Sequence, residues 1–338
     1  MMRPYLYVSL ALLLAVGLSL AVGSVFIPPR DLLAILAAQF SGESLSARLS
    51  TYAFIIAAIR LPRTALVMLT GAALGTSGGA YQGLFRNPLA DPYLIGVASG
   101  AGLGAVIALS VRWPYTFWGL MAIPLAAFLA GLLTVFLVYT VARVGKTVPT
   151  TNLILAGVAF GSFATALTSF LMLRSTGEVR RALAWLLGGA SQAGWLPVLG
   201  ILPYLALGLG ILLLSGHALN LLQFGDEQAL QMGLPVNRTK NLVLAAASLA
   251  TAAAVAFSGI IGFIGLIVPH VMRMWWGGDY RRLLPLSMIG GAVALLIADV
   301  LSRVLLAPQE LPLGVITALA GAPFFLWVLR RAKNQGYW

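Results

Sequence analysis

The chain is built from successive apolar runs of about 20 residues, the length of one helical membrane crossing, each ended by a short polar break. A β-barrel would need alternating strands of about ten residues, and the runs are too continuous for that. Inside a bilayer only helices and closed barrels satisfy their own backbone groups, so the fold class is an all-α membrane protein. Composition agrees, with 60% of residues hydrophobic and 9% charged, against about 25% charged in soluble domains. The 37 glycines suit helices that approach closely in lipid. Without cysteine there is no disulfide, thiolate zinc site or iron–sulfur cluster.

Hydropathy places ten spans. The first covers Tyr5–Ile27 and ends at Pro28-Pro29, before an amphipathic interfacial piece over Asp31–Phe40. The second follows Arg60-Leu61-Pro62-Arg63 and ends near Phe85. Then come Tyr93–Leu109, Trp118–Val141 and Asn152–Leu173, a charged surface stretch over Ser175–Ala190, and a sixth span over Leu196–Leu214. The seventh is Leu242–Ser258, the ninth Leu284–Leu306 and the tenth Leu313–Leu329. Between the seventh and ninth, Gly259, Gly262, Gly265 and Pro269 interrupt the eighth. Broken helices at membrane depth must be buried in protein or line a cavity, so this segment should avoid lipid.

An even number of crossings puts both termini on one side, which the positive-inside rule makes the cytoplasm. The net charge of +12 comes from dispersed basic residues, whose expected neighbours are lipid head groups and acidic protein partners rather than nucleic acid. Arg60, Arg63, Arg174, Arg180, Arg181 and Arg303 fall on the outer side. They read either as a docking surface for an acidic partner or as interfacial anchors.

The longest polar break, Gly216–Lys240, falls on the cytoplasmic side. Within it Gly225 and Asp226 read as a helix start, with Asp226 as N-cap and Glu227 near the positive end of the dipole, and Gly233 reads as the stop. Such a helix would present Ala229, Leu230 and Met232, more apolar surface than a solvated connector needs. It reads as a docking element for a soluble partner, or else as an ordinary surface helix.

Catalytic chemistry finds little support. Gly145-Lys146-Thr147 imitates the end of a phosphate loop, but Thr140 stands where that motif needs its first glycine. His217 and His270 lie on separate segments without nearby carboxylates, so no metal site, catalytic residue or cofactor is expected. Asp299 is the one acid well inside a span, and an intramembrane ionisable group is a functional candidate by default. Arg303, four residues on, shares its helix face, so Asp299 reads as orienting that arginine. The alternative is an ion-coupled secondary transporter using Asp299. Gly71 with Gly75, Gly75 with Gly79, Gly100 with Gly104 and Gly157 with Gly161 have the spacing of tight helix contacts. Asn87-Pro88-Leu89-Ala90-Asp91-Pro92 and Lys146–Thr151 read as stiff cytoplasmic turns.

RLPR at residues 60–63, NPLADP, TTNLILAGVAFG at 150–161, ALQMGLP in the long loop, GFIGLIVPHVMR at 262–273 and ELPLGVITALAGAPFFLWVL at 310–329 occur in this order. The set resembles the permease subunits of ABC importers for vitamin B12, haem and ferric siderophores. The resemblance implies a single permease domain over residues 1–338, in a homodimer of ten-helix subunits in the bacterial cytoplasmic membrane. It also implies two cytoplasmic ATPase subunits, which hydrolyse the ATP, and an external or periplasmic substrate-binding protein. By resemblance, Gly225, Asp226, Glu227, Ala229, Leu230, Met232 and Gly233 belong to the ATPase-coupling element. Asn87, Leu89, Thr150 and Thr151 belong to the cytoplasmic gate, and Arg60, Arg63 and Arg303 to the surface that meets the binding protein. The fifth and tenth spans would border the pathway.

Overall fold

The computed structural model describes residues 3–23, 25–41, 45–111, 113–114, 116–145, 147–174, 179–190 and 194–334. Lys146 and the stretch 175–178, both parts of segments read above as surface connections, lie outside the described residues.

Helix α1 (Arg3–Ala21) is followed by α2 (Pro29–Ser41), which starts on a proline and carries Asp31 in its first turn. Both features favour a helix start, since the N–H that proline lacks would have no partner there and the dipole welcomes an acid. Ser46 caps α3 (Ala47–Phe54) by accepting from the Leu49 N–H. The chain then runs without a break through a π-helical turn, Ile55–Arg60, into α4 (Leu61–Phe85). RLPR was expected to precede the second span but lies inside this continuous 39-residue helix. Proline in a helix loses one hydrogen bond and crowds the preceding turn. Here the wider turn just before Pro62 closes with Leu61 N–H on the Ile56 carbonyl, so the helix continues past the proline.

After a short 3₁₀ turn, Pro92–Ile95, come α5 (Val97–Leu109), α6 (Phe117–Ala142) and α7 (Thr150–Arg174). The surface helix α8 (Val179–Leu186) leads to α9 (Leu196–Leu214), α10 (Gly216–Leu222), α11 (Asp226–Gln231) and α12 (Val236–Ser258). Last come α13 (Ile264–Trp276), α14 (Tyr280–Val304) and α15 (Leu313–Asn334). Among the described residues seven helices are long and apolar enough to cross a membrane unaided, and Val97–Leu109 and Leu313–Val328 are shorter apolar helices. With the interrupted α13 they match the ten expected crossings.

Helices α4, α12 and α14 form the centre, and nearly all of α4 is buried. Around them α1, α6, α7 and α9 expose leucines and phenylalanines such as Leu125, Leu129, Leu133 and Phe136, a stripe suited to lipid. The glycine spacings mark real contacts. A Cβ on Gly71 would sit 2.2 Å from the Gly291 carbonyl oxygen, and one on Gly75 would sit 2.3 Å from that of Ser287. One on Gly78 would sit 1.8 Å from the Gly265 carbonyl. Three spans therefore touch backbone to backbone along one face of α4.

The break between α12 and α13 is buried or half-buried throughout, as a non-helical stretch at membrane depth requires. Phe263 adopts a left-handed φ of 69°, uncommon for a bulky residue. Its ring packs where only a glycine leaves room, 2.3 Å from where a Cβ on Gly321 would be. The surface stretch after α8 folds inward onto this break. Gly189 N–H donates to the Ser258 carbonyl, and Leu313 N–H donates to the Gly188 carbonyl.

Candidate functional site

The structure brings polar chemistry to the two ends of the helical core and along one face of α7. At the end where α4 stops, Gly216–Lys240 is less of a loop than its polarity suggests. Gly216, Leu219 and Leu222 of α10 are buried, and residues from Val236 onward already belong to α12. Gln223 donates from Nε2 to the Gly83 carbonyl at 2.9 Å, and Asn220 donates to Asp279 Oδ1 at 2.6 Å while accepting the Tyr280 N–H. These bonds fix the entrance to α11 against α4 and α14.

Gly225, not Asp226, is the N-cap of α11, with φ 106° and no side-chain capping bond. Asp226 is the first helical residue, and its carboxylate faces Lys240, with Arg86 at 3.9 Å. The acid was expected to cap its own helix, but two cations on neighbouring helices draw it sideways. Ala229 was expected on the presented face and is instead fully buried, whereas Leu230 and Met232 are 64% and 48% exposed. Phe224, at 63% exposure, extends that face, a contribution a helix pattern does not reveal because Phe224 precedes the helix. Glu227 is exposed, and Gly233 ends the segment at φ 85°.

Asp279 caps α14 through the Arg281 N–H. The side-chain bond from Arg281, helped by Asn220, holds its carboxyl well below the usual range.

Asn87 and Leu89 form an Asx turn, the Asn87 Oδ1 accepting the Leu89 N–H at 2.9 Å. Arg86 before them is left-handed at φ 51°. Thr150 and Thr151 were expected in a turn and lie instead in the first turn of α7. Thr150 lines a small cavity with Phe85 and Lys240, so the expected gate residues sit at the same end as α11. On α7, Ser162, Thr165 and Ser169 are exposed. Ser162 and Thr165 border an open groove of about 720 Å³ whose rim includes Asp91, Tyr93 and Ser99. Desolvation pushes the Asp91 carboxyl up to about 6, although the Tyr93 N–H opposes the shift.

At the opposite end the three arginines do not project outward as a set. Arg60 and Arg303 are 5% and 6% exposed. Arg60 donates to the Leu20, Ala21 and Val25 carbonyls. Arg303 donates to the carbonyls of Ser19 (3.2 Å) and Val22 (2.8 Å) and to the Ser19 hydroxyl. The last carbonyls of a helix lack intrahelical partners and carry partial negative charge; here two guanidiniums supply what a polar cap would in water. Asp299 is paired with Arg303 at 2.9 Å as expected, and also with Arg63 at 2.9 Å. Arg63 reaches on to the half-exposed Glu310 at 2.8 Å. The Arg63 link, 236 positions away in sequence, has no local signal. Asp299 is thus fully buried between two arginines. Among the described residues no group of three or more acids, histidines or cysteines could hold a metal.

Membrane-length helices packed around α4, α12 and α14, with α11 at one end and a hydroxyl-lined groove on the flank, define a multi-pass membrane protein. Residues 11–331 match the FecCD transport family, and the chain belongs to it. The chain is 45% identical to a cobalamin import system permease protein, BtuC, of Halobacterium salinarum, over 82% of this chain and 73% of the relative. It is 42% identical to a hemin transport system permease protein, HmuU, of Yersinia pestis, over 82% and 83% of the two chains. A solved chain described as being of the metal-chelate ABC transporter type, in an inward-facing conformation, superimposes with a TM-score of 0.81 at 29% identity, covering 97% of this chain and 98% of its own. The protein is therefore an ABC importer permease of the FecCD family.

Proposed function

We propose that the chain forms half of a homodimeric importer in a bacterial cytoplasmic membrane, carrying an iron chelate, haem or a corrinoid inward. In this reading the ATP is hydrolysed on two partner subunits docked on α11. The observation that carries the reading is the build of α11: buried Ala229 and the Asp226 ion pairs fix it to the core, while Leu230 and Met232 stand in water. A fixed apolar projection of this kind transmits force once a partner covers it. The groove of α7 supplies half of a pathway that a second copy completes, with Asn87, Leu89, Thr150 and Thr151 closing its α11 end. Haem and cobalamin relatives support a large, partly apolar cargo. Of the three expected docking arginines, Arg63 is the one at the other end that an acidic binding protein can reach; Arg60 and Arg303 support that surface from inside.

The test is uptake into proteoliposomes containing this chain, the ATPase subunit and the binding protein of its own transport system, with haemin, cobalamin and a ferric hydroxamate compared. ATP-dependent accumulation of one cargo, lost in Leu230→Asp, is the expected result. Accumulation driven by an ion gradient without ATPase would overturn the reading.

A further inference from the structure

We propose that the groove between α1, α2 and the helix through Ala53–Leu61 is a binding site for one acyl chain of an anionic phospholipid. The groove has a volume of about 880 Å³, within the range of roughly 300–1,000 Å³ typical of small-molecule sites. Its walls run from Leu13 on α1 to Val22 just past its end and from Leu32 to Ala38 on α2, with Ile56 behind, and among the described lining residues none has a polar side chain.

Its dimensions match a lipid leaflet. Leu13 to Val22 rises about 14 Å along the helix axis, close to half of a hydrocarbon core of about 30 Å. The mouth opens sideways past Leu13 and Leu33, exposed by 69% and 68%, toward the space the membrane fills. At the polar end, next to the lining residue Pro29, stands exposed Arg30. Asp31, the acid beside it, is paired with Arg48 at 2.7 Å, so among the described residues Arg30 adds an exposed cation at that end. An apolar slot one leaflet deep, ending at a cation, is complementary to an acyl chain beneath an anionic phosphate.

Gly17 lines the slot and has no atom within 4 Å of where its Cβ would be. Leaving that space to a bound chain keeps lipid packed against the helix end that Arg60 and Arg303 close.

The test uses the full chain in nanodiscs of phosphatidylcholine doped with phosphatidylglycerol that carries a photoactivatable diazirine on one acyl chain, with adducts mapped by mass spectrometry. Adducts should concentrate within residues 13–36. Gly17→Phe, which fills the slot, should lower their yield several-fold without lowering the melting temperature. Leu33→Gln, changed only at the mouth, should lower it as well. Arg30→Gln should remove the preference for phosphatidylglycerol over a phosphatidylcholine probe. Labelling spread evenly over Leu125, Leu129 and Leu133 of α6, or yields unchanged in both groove variants, overturns the proposal. So does a disulfide between two copies formed from cysteines placed at Leu33.

Discussion

Arg303 binds Ser19 twice, through the backbone carbonyl at 3.2 Å and through the hydroxyl at 3.1 Å. The ninth span thereby closes the end of the first, and the same guanidinium holds Asp299. Removing one member of a buried ion pair costs about 3–5 kcal/mol. Arg303→Met should therefore lower the melting temperature in detergent by many degrees. Arg303→Lys should recover only part of the loss, because an ammonium cannot reach carboxylate and carbonyls together as a planar guanidinium does.

Asp299→Asn tests the same cluster from the other side. If the acid is structural, the variant loses stability while transport stays ATP-dependent. A variant of normal stability whose transport has lost a proton or sodium dependence would restore the ion-coupled alternative.

Gly78→Ala should be far more damaging than Gly210→Ala. The new methyl would meet the Gly265 carbonyl oxygen at 1.8 Å, whereas nothing lies within 4 Å at Gly210. Expression level and melting temperature of the two variants check this directly.

Leu230→Asp and Glu227→Arg should leave the melting temperature unchanged, since both positions are exposed, yet reduce retention of the ATPase subunit and its stimulated hydrolysis several-fold. Ala229→Leu should behave oppositely, destabilising the chain because its site is closed. Equal effects on folding at all three positions would remove the distinction between anchoring and docking faces.

Asp279→Ala should cost about 1 kcal/mol as a lost helix cap. Its carboxyl is held below the ordinary range, so its contribution is present above the unfolded value of about 4. It is lost as pH falls through the depressed folded value. Melting curves of wild type and variant should differ at neutral pH and draw together in acid.

The spans were legible because about 20 apolar residues cannot do much else in a chain this poor in charge. The close contacts of Gly71 and Gly75 were legible as spacing, though not as partners, and Gly78, outside the spacings read, gave no sign of Gly265. The π-turn before Pro62 was hidden because hydropathy is blind to one extra residue per turn. The arginines misled for a related reason. Charge beside an apolar run suggests a surface, while Arg60 and Arg303 are spent on the unpaired carbonyls of a distant helix, a need visible only once helix ends are in place. At α11 the start and stop glycines marked the ends correctly, but Asp226 depended on Lys240 and Arg86, which only folding brings near.

The backbone contacts of Gly71, Gly75 and Gly78 with α14 and α13 leave no rotamers between the spans to rearrange. A side-chain interface can slip by exchanging one set of torsions for another; this one can only stay or separate. Alternating access in this protein should therefore hinge at the rim, with α4, α13 and α14 moving as one block. Spin labels on α4 and α14 should keep a single distance distribution through the ATP cycle, while in the proposed homodimer labels on the two α7 helices change theirs.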